Sequence, residues 1–435
     1  MGVGFFLTGR YEVQPEETNP EAWLVRVTSW IRDHGNEFLE GVRIGQDHEG
    51  KPTAFASLHP SAEEVALIVP EPGRVVASGK TSTVGPGYHI VVADFMRRLG
   101  EAVGIVWDGP DDEAGTGDET GYFHEGDETA VETEFLQWLR QVASIVAEKL
   151  SEDYQEMMVS MPIGHRYPGH GPLITPLGPR TLEWVQAVAS DPTQGIDLFP
   201  WWSKERDARF FLGRALCRIW KEVRWRTPLT EVEATLLMSV HRDLARAHDL
   251  DPSLDYPWRE WEELIDYLEE FHDDPSIVRA DLVQAVTHNA AKAPESRRIG
   301  YRRLPVEVEL TGGWSIKVPG AMSEEWDENG TWSGWDGQRT VWFSSCTMTK
   351  HDGSKPSAAE ILADASQPDG PLLESQEPPV LGTAVFAAYE EEGRRLWQLS
   401  GRSAVEGGLG ICNIFVEDET ERDWAESVWR SLRHT

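Results

Sequence analysis

Three textures follow one another along the chain. Residues 1 to about 107 mix short alternating runs with runs at helical spacing. Residues 5–13 alternate and predict a strand. After Asn19-Pro20, Trp23, Val27, Trp30 and Ile31 recur on one helical face. Residues 53–58, 64–69 and 74–78 predict short strands, the last two joined across the turn Pro70-Glu71-Pro72-Gly73. Residues 88–99 predict a helix and 103–107 a strand. From about 130 to 290 the helical period dominates. Phe135, Leu136, Leu139, Val142 and Val146 form one stripe, and Phe211, Leu212, Ala215 and Ile219 another. A helix over 231–248 follows, and Pro257-Trp258 opens one whose inner face is Trp261, Leu264, Ile265 and Leu268.

Past residue 305 the period returns to two. Residues 306–310, 314–318, 340–345, 383–390, 394–400 and 410–416 predict strands. A short helix is expected over 357–365 and a closing one over 419–432, with a loop at 322–337 and a proline-rich loop at 367–379. The fold class is therefore α+β. A mixed α/β domain with an acidic loop (1–128) runs into a mostly helical region packed on it (129–292). A linker (293–305) leads to an antiparallel sheet with packed helices (306–435). Fragments ending near Ala290 and starting near Gly300 are expected to fold separately.

The third texture carries a resemblance. The run Trp314-Ser-Ile-Lys-Val-Pro319, then Arg339-Thr-Val-Trp-Phe343, a short helix, long strands and the ending Asp423-Trp-Ala-Glu-Ser-Val-Trp-Arg-Ser-Leu432 resembles the Mog1/PsbP-like fold over roughly the last 130 residues. The resemblance rests on element order and aromatic landmarks. It implies a binding or accessory module and transfers no catalytic residue.

Composition narrows the partners. The formal net charge is −34; phosphate contacts need clustered Lys and Arg, so nucleic acid is not an expected partner. An acidic face that attracts a basic protein is one reading, and a solubility surface shared with an acidic proteome is the other. The 31 Arg against 9 Lys fit a GC-rich coding sequence and a bacterial origin. No apolar stretch approaches the roughly 20 residues of a membrane helix. The first residues lack the basic region of a signal peptide, so a cytoplasmic location is expected. Cys217, Cys346 and Cys412 are odd in number and far apart, without a C-x-x-C pair. That predicts neither a disulfide framework nor a zinc knuckle.

Sharp catalytic motifs are missing: no P-loop, dinucleotide fingerprint, H-E-x-x-H or G-x-S-x-G stands in the sequence. The acidic loop 108–128 does not match a calcium-binding register, and no metal or cofactor is expected. Three places carry a hypothesis. Gly85-Pro-Gly-Tyr-His89 could hold an anion with His89 as acid or base, or be a tight turn whose Tyr88 and His89 pack. The loop around His165 and His170 could gather a metal or anion site if it folds its ligands together, because Pro168 forbids a shared helix. Trp201 and Trp202, and the loop tryptophans Trp326, Trp332 and Trp335, are partner-binding candidates, since exposed aromatics anchor interfaces. The leading expectation is a non-enzymatic protein-binding factor of the immunity, defence or assembly type. The alternative is a motif-free hydrolase or transferase using the loop histidines.

Overall fold

Strand β1 (Gly4–Tyr11) turns Phe5, Leu7 and Tyr11 inward and leaves Phe6 and Arg10 exposed, as its alternation requires. It belongs to a computed structural model that describes residues 2–14, 19–35, 38–111, 113–152, 156–162, 164–274, 276–294, 298–364, 372–391 and 393–435. Helix α1 (Pro20–His34) starts where the Asn19 side chain accepts the Ala22 amide at 2.9 Å, with proline at its first position. Strands β2 (Gly41–Gln46), β3 (Pro52–Ser57), β4 (Val65–Ile68) and β5 (Arg74–Lys80) follow, then α2 (Pro86–Val103), β6 (Ile105–Trp107), β7 (Gly117–Asp118) and α3 (Tyr122–Glu125). These strands form a first antiparallel sheet ordered β2-β3-β4-β5-β1-β6, with β7 also on β1. Helices α1 and α2 bury their apolar faces in the core beneath it, where Tyr11 stacks on Trp23 with centroids 4.1 Å apart. Strand β2 has no clear period, because both its faces are half open.

The second texture is less uniformly helical than its period predicts. Helix α4 (Glu128–Glu152) is followed by the short strands β8 (Met157–Met158), β9 (His165–Arg166) and β10 (Leu173–Ile174). Only then come α5 (Leu182–Ser190), α6 (Ala208–Lys221), α7 (Glu231–Leu250), α8 (Trp258–His272) and α9 (Ala280–Ala290).

Beyond them lie β11 (Val306–Leu310), β12 (Trp314–Val318), β13 (Ser323–Trp326), β14 (Trp332–Trp335), β15 (Arg339–Thr347), α10 (Ala358–Asp364), β16 (Leu372–Glu377), β17 (Val380–Glu391), β18 (Arg394–Val405), β19 (Gly408–Val416), α11 (Arg422–Arg430) and β20 (Arg433–His434). A second large antiparallel sheet runs β13-β14-β15-β19-β18-β17-β16, and a smaller one runs β20-β12-β11-β9. The expected loop over 322–337 is the hairpin β13–β14. Of the expected loop over 367–379, residues 367–371 lie outside the described residues, and 372–377 are strand β16.

Two large hydrophobic clusters result, one built from residues up to Val286 and one mainly from residues past 300. The second also takes Tyr167 and Ile174, and β9 pairs with β11. The chain thus enters the second core midway through building the first. The stretch expected as a linker is not one over 298–305. Tyr301 is fully buried there, its hydroxyl donating to the Thr175 carbonyl at 2.8 Å, its ring against Trp220 and Tyr167. Tightness explains Gly300: at φ 116°, a Cβ there would sit 2.1 Å from the Trp225 indole nitrogen.

Candidate functional site

The end of α6 assembles the junction between the two cores. Asp207 caps the helix start by accepting the Arg209 and Phe210 amides at 2.9 and 3.0 Å, and the helix delivers Lys221 into the junction. Lys221 Nζ donates to the Pro60 carbonyl at 2.7 Å and to Ser61 Oγ at 3.2 Å, and the Lys221 carbonyl accepts Arg302 Nε at 3.0 Å. Trp225 then turns left-handed at φ 53°, and the Arg303 guanidinium lies 3.4 Å over its ring.

Arg302, Glu324 and His165 interlock beside it. Arg302 Nη1 donates to Glu324 Oε1 at 2.8 Å, and His165 Nε2 lies 2.8 Å from Glu324 Oε2. A carboxylate only accepts, so the proton sits on Nε2, and Arg302 Nη2 at 3.4 Å from that nitrogen is a neighbour rather than a donor to it. Burial pushes the Glu324 carboxyl up, but the His165 hydrogen bond and the Arg302 charge outweigh it and hold it at about 2. Arg226 grips Glu233 through two bonds of 2.8 and 2.9 Å, Ser323 Oγ donates to the same carboxylate, and Arg224 Nε lies 3.5 Å from it. Arg224 Nε donates to the Met322 carbonyl at 2.8 Å, and burial and then Arg302 push its guanidinium down.

Of these groups His165, Arg224 and Arg302, with Lys221, line one side of a cleft of about 800 Å³ whose other walls come from residues 60–63, 82–83 and 158–162 and from α4. Tyr167 also lines it, its phenol pushed up to about 12 by burial. The Glu222 carboxyl lines it too, raised by burial against the opposing charges of Lys221 and Arg218.

The other predicted histidines stand elsewhere. His89 is fully buried in the first core, its Nδ1 2.8 Å from Thr81 Oγ1 and its Nε2 2.9 Å from Asp118. It clamps the 118–120 turn to the sheet, so part of the loop expected to be solvated is sealed inside. The arrangement resembles a Thr-His-Asp relay, yet Thr81 is fully buried and no substrate can reach it. His170 is also buried and donates from Nε2 to the Tyr301 carbonyl at 3.1 Å. The three imidazoles therefore do not converge. The thiols of Cys217 and Cys412 are pushed up by burial to about 11 and about 12, which removes them as nucleophiles.

The tryptophan candidates divide by strand alternation. Trp332 and Trp201 are core residues at 0% and 1% exposure, so neither presents a contact face. Trp326 pairs with Trp332 across the hairpin and shares its inward side, but lies at the sheet edge and is 45% exposed. Trp335 points to the opposite, outer face, and Trp202 is half-buried. Sequence reasoning missed the strongest surface aromatic. Trp342 on β15 is 50% exposed on that outer face, its ring 5.8 Å from Phe415, which is 6.0 Å from Tyr389. Pairing places Glu325 and Glu391 on the same face, together with Arg394, which pairs with Glu417 at 2.7 Å. The alternation Val341-Trp342-Phe343 was the available signal.

No protein-family model and no curated protein matches the sequence. Among solved structures, one from Bacteroides thetaiotaomicron VPI-5482 is similar at 13% identity over 28% of this chain, with a TM-score of 0.24. The match spans 45% of that chain's length, and so distant a likeness carries no argument.

Proposed function

We propose that this chain is a non-enzymatic, bacterial protein-binding factor of the immunity, defence or assembly kind, docking through the outer face of its second large sheet. The observation that carries the reading is the row Trp342, Phe415 and Tyr389, open at Trp342, with Glu325 and Glu391 on the same face. Large rings on a rigid sheet are the residues that anchor interfaces. A partner with an apolar centre and a basic rim complements this face, and the net charge of −34 steers it in. The Mog1/PsbP-like resemblance of residues 306–435 implies an accessory role of the same kind.

The enzymatic alternative on the loop histidines has less behind it. His170 is spent on a backbone carbonyl and His165 on Glu324, so neither is poised over a nucleophile. The test is cross-linked capture from a bacterial lysate with the wild type and with Trp342→Ala in parallel. A partner of basic isoelectric point held by the wild type and lost by Trp342→Ala is the expected result. Equal recovery by both, or recovery of nothing at low salt, overturns the reading.

A further inference from the structure

The junction cleft is built for something other than a protein face. Lys221 is 4% exposed, yet its ammonium meets only the neutral oxygens of Pro60 and Ser61. Among the described residues no carboxylate comes within 4.0 Å of it. Arg224 shares Glu233 with Arg226, which already occupies both carboxylate oxygens. Lys221 thus has no carboxylate in ion-pair contact and Arg224 only a shared one, and a buried charge so placed is costly unless a ligand completes it.

Neutral donors are left over in the same cleft. Thr83 Oγ1 and Trp138 Nε1 are buried there without a hydrogen-bond partner. The Tyr167 hydroxyl lines the same cleft. Buried donors are nearly always satisfied, so two orphans around one cavity point to a ligand or ordered water that completes them. Part of the lining is apolar, from Val142, Met158, Val159, Met161 and Pro162, beside Ser82, Ser160 and the Lys80–Glu63 pair.

We infer that the cleft between the two cores binds a small organic acid, with its carboxylate on Lys221 and Arg224, a hydrogen bond from Tyr167, and its apolar body against Met158, Val159 and Met161. The guanidinium fork suits a planar carboxylate, and the volume of about 800 Å³ suits a small molecule rather than a protein loop. Glu222 lines the same space, its carboxyl raised by burial against the charges of Lys221 and Arg218. This site is independent of the sheet face proposed for a partner.

Titration calorimetry on the full chain tests it with three probes: octanoate, octanol and inorganic phosphate. Saturable octanoate binding is expected, with octanol and phosphate each at least about tenfold weaker, because each lacks one half of the match. Arg224→Gln and Lys221→Gln are each expected to weaken octanoate by about tenfold or more. If either substitution unfolds the chain, Tyr167→Phe and Thr83→Val carry the test, since both delete a hydroxyl without changing the packing. Tyr167→Phe is expected to weaken octanoate several-fold. No octanoate binding at millimolar concentration, equal binding of octanol, or octanoate binding unchanged in every variant that folds overturns the inference.

Discussion

The two large sheets have the same build and differ in how their outer faces are covered. Both are antiparallel, and both bury one face in a hydrophobic core. The outer face of the first is partly covered by charge, with Phe6 and Val106 left open. The Arg43 guanidinium covers the Phe55 ring at 4.1 Å and pairs with Glu64 at 2.6 Å, while Arg10 and Arg74 both reach Asp108. The outer face of the second leaves Trp342 half exposed, with Arg394 paired to Glu417 on the same sheet. Each sheet is also pinned by a histidine–carboxylate pair. His89–Asp118 is sealed at 2.9 Å, whereas His165–Glu324 at 2.8 Å stands at the lip of a cleft. Identical local chemistry thus ends sealed or open according to what it faces, not what it contains.

The largest expected effect separates inside from outside on one sheet. Trp332→Ala is expected to cost about 3–5 kcal/mol of stability, because it empties a fully buried site, measured by denaturant melts. Trp342→Ala on the opposite face is expected to stay within about 0.5 kcal/mol. Comparable losses for the two would erase the distinction between the faces.

The second test contrasts the histidine pairs. Glu324→Gln leaves Arg302 buried without its counter-charge and is expected to cost about 3 kcal/mol. The sign with pH follows from a depressed folded value. The stabilisation is whole above the unfolded value of about 4.5 and is lost as pH falls through about 2. Denaturant melts from pH 7 to pH 2.5 are therefore expected to decline less steeply in Glu324→Gln than in the wild type. Parallel curves would show that the pair contributes nothing.

Smaller effects concern the outer faces. Trp342→Ala is expected to lose about 2 kcal/mol of partner affinity with the dissociation rate carrying most of it, read by surface binding kinetics. Association is expected to slow as salt rises past about 0.15 M, where the Debye length is about 8 Å. Arg43→Ala uncovers Phe55 and is expected to cost at most about 1 kcal/mol. A gain of stickiness comparable to the Trp342 face would show that the guanidinium shields the ring.

The sequence shows its periodic elements well and its junction poorly. Strands such as β1 and helices such as α6 announce themselves because one face is buried against a core. The strands β8, β9 and β10 are two residues each, too short for any period, and take their conformation from distant partners. His165 drew notice as a loop histidine, but Glu324 lies 159 positions away, and nothing local marks that contact. Arg302 and Tyr301 read as linker because a polar, arginine-rich run normally faces water. Here it is buried through Glu324 and the Thr175 backbone. Trp342 was visible only as one residue of an alternating strand, since alternation cannot say which of two faces is covered.

The route of the chain between the cores also sets how they can move. It crosses into the second core near β9, returns through β10 to α5, and crosses again at the packed strap 298–305. A body held by one tether can swing about any axis. One held at several separated points keeps a single easy rotation, about the line through its attachments, as a door does. The cleft lined by Lys221 and Arg302 takes walls from both sides of those crossings, so its shape is fixed by how the two bodies are held together.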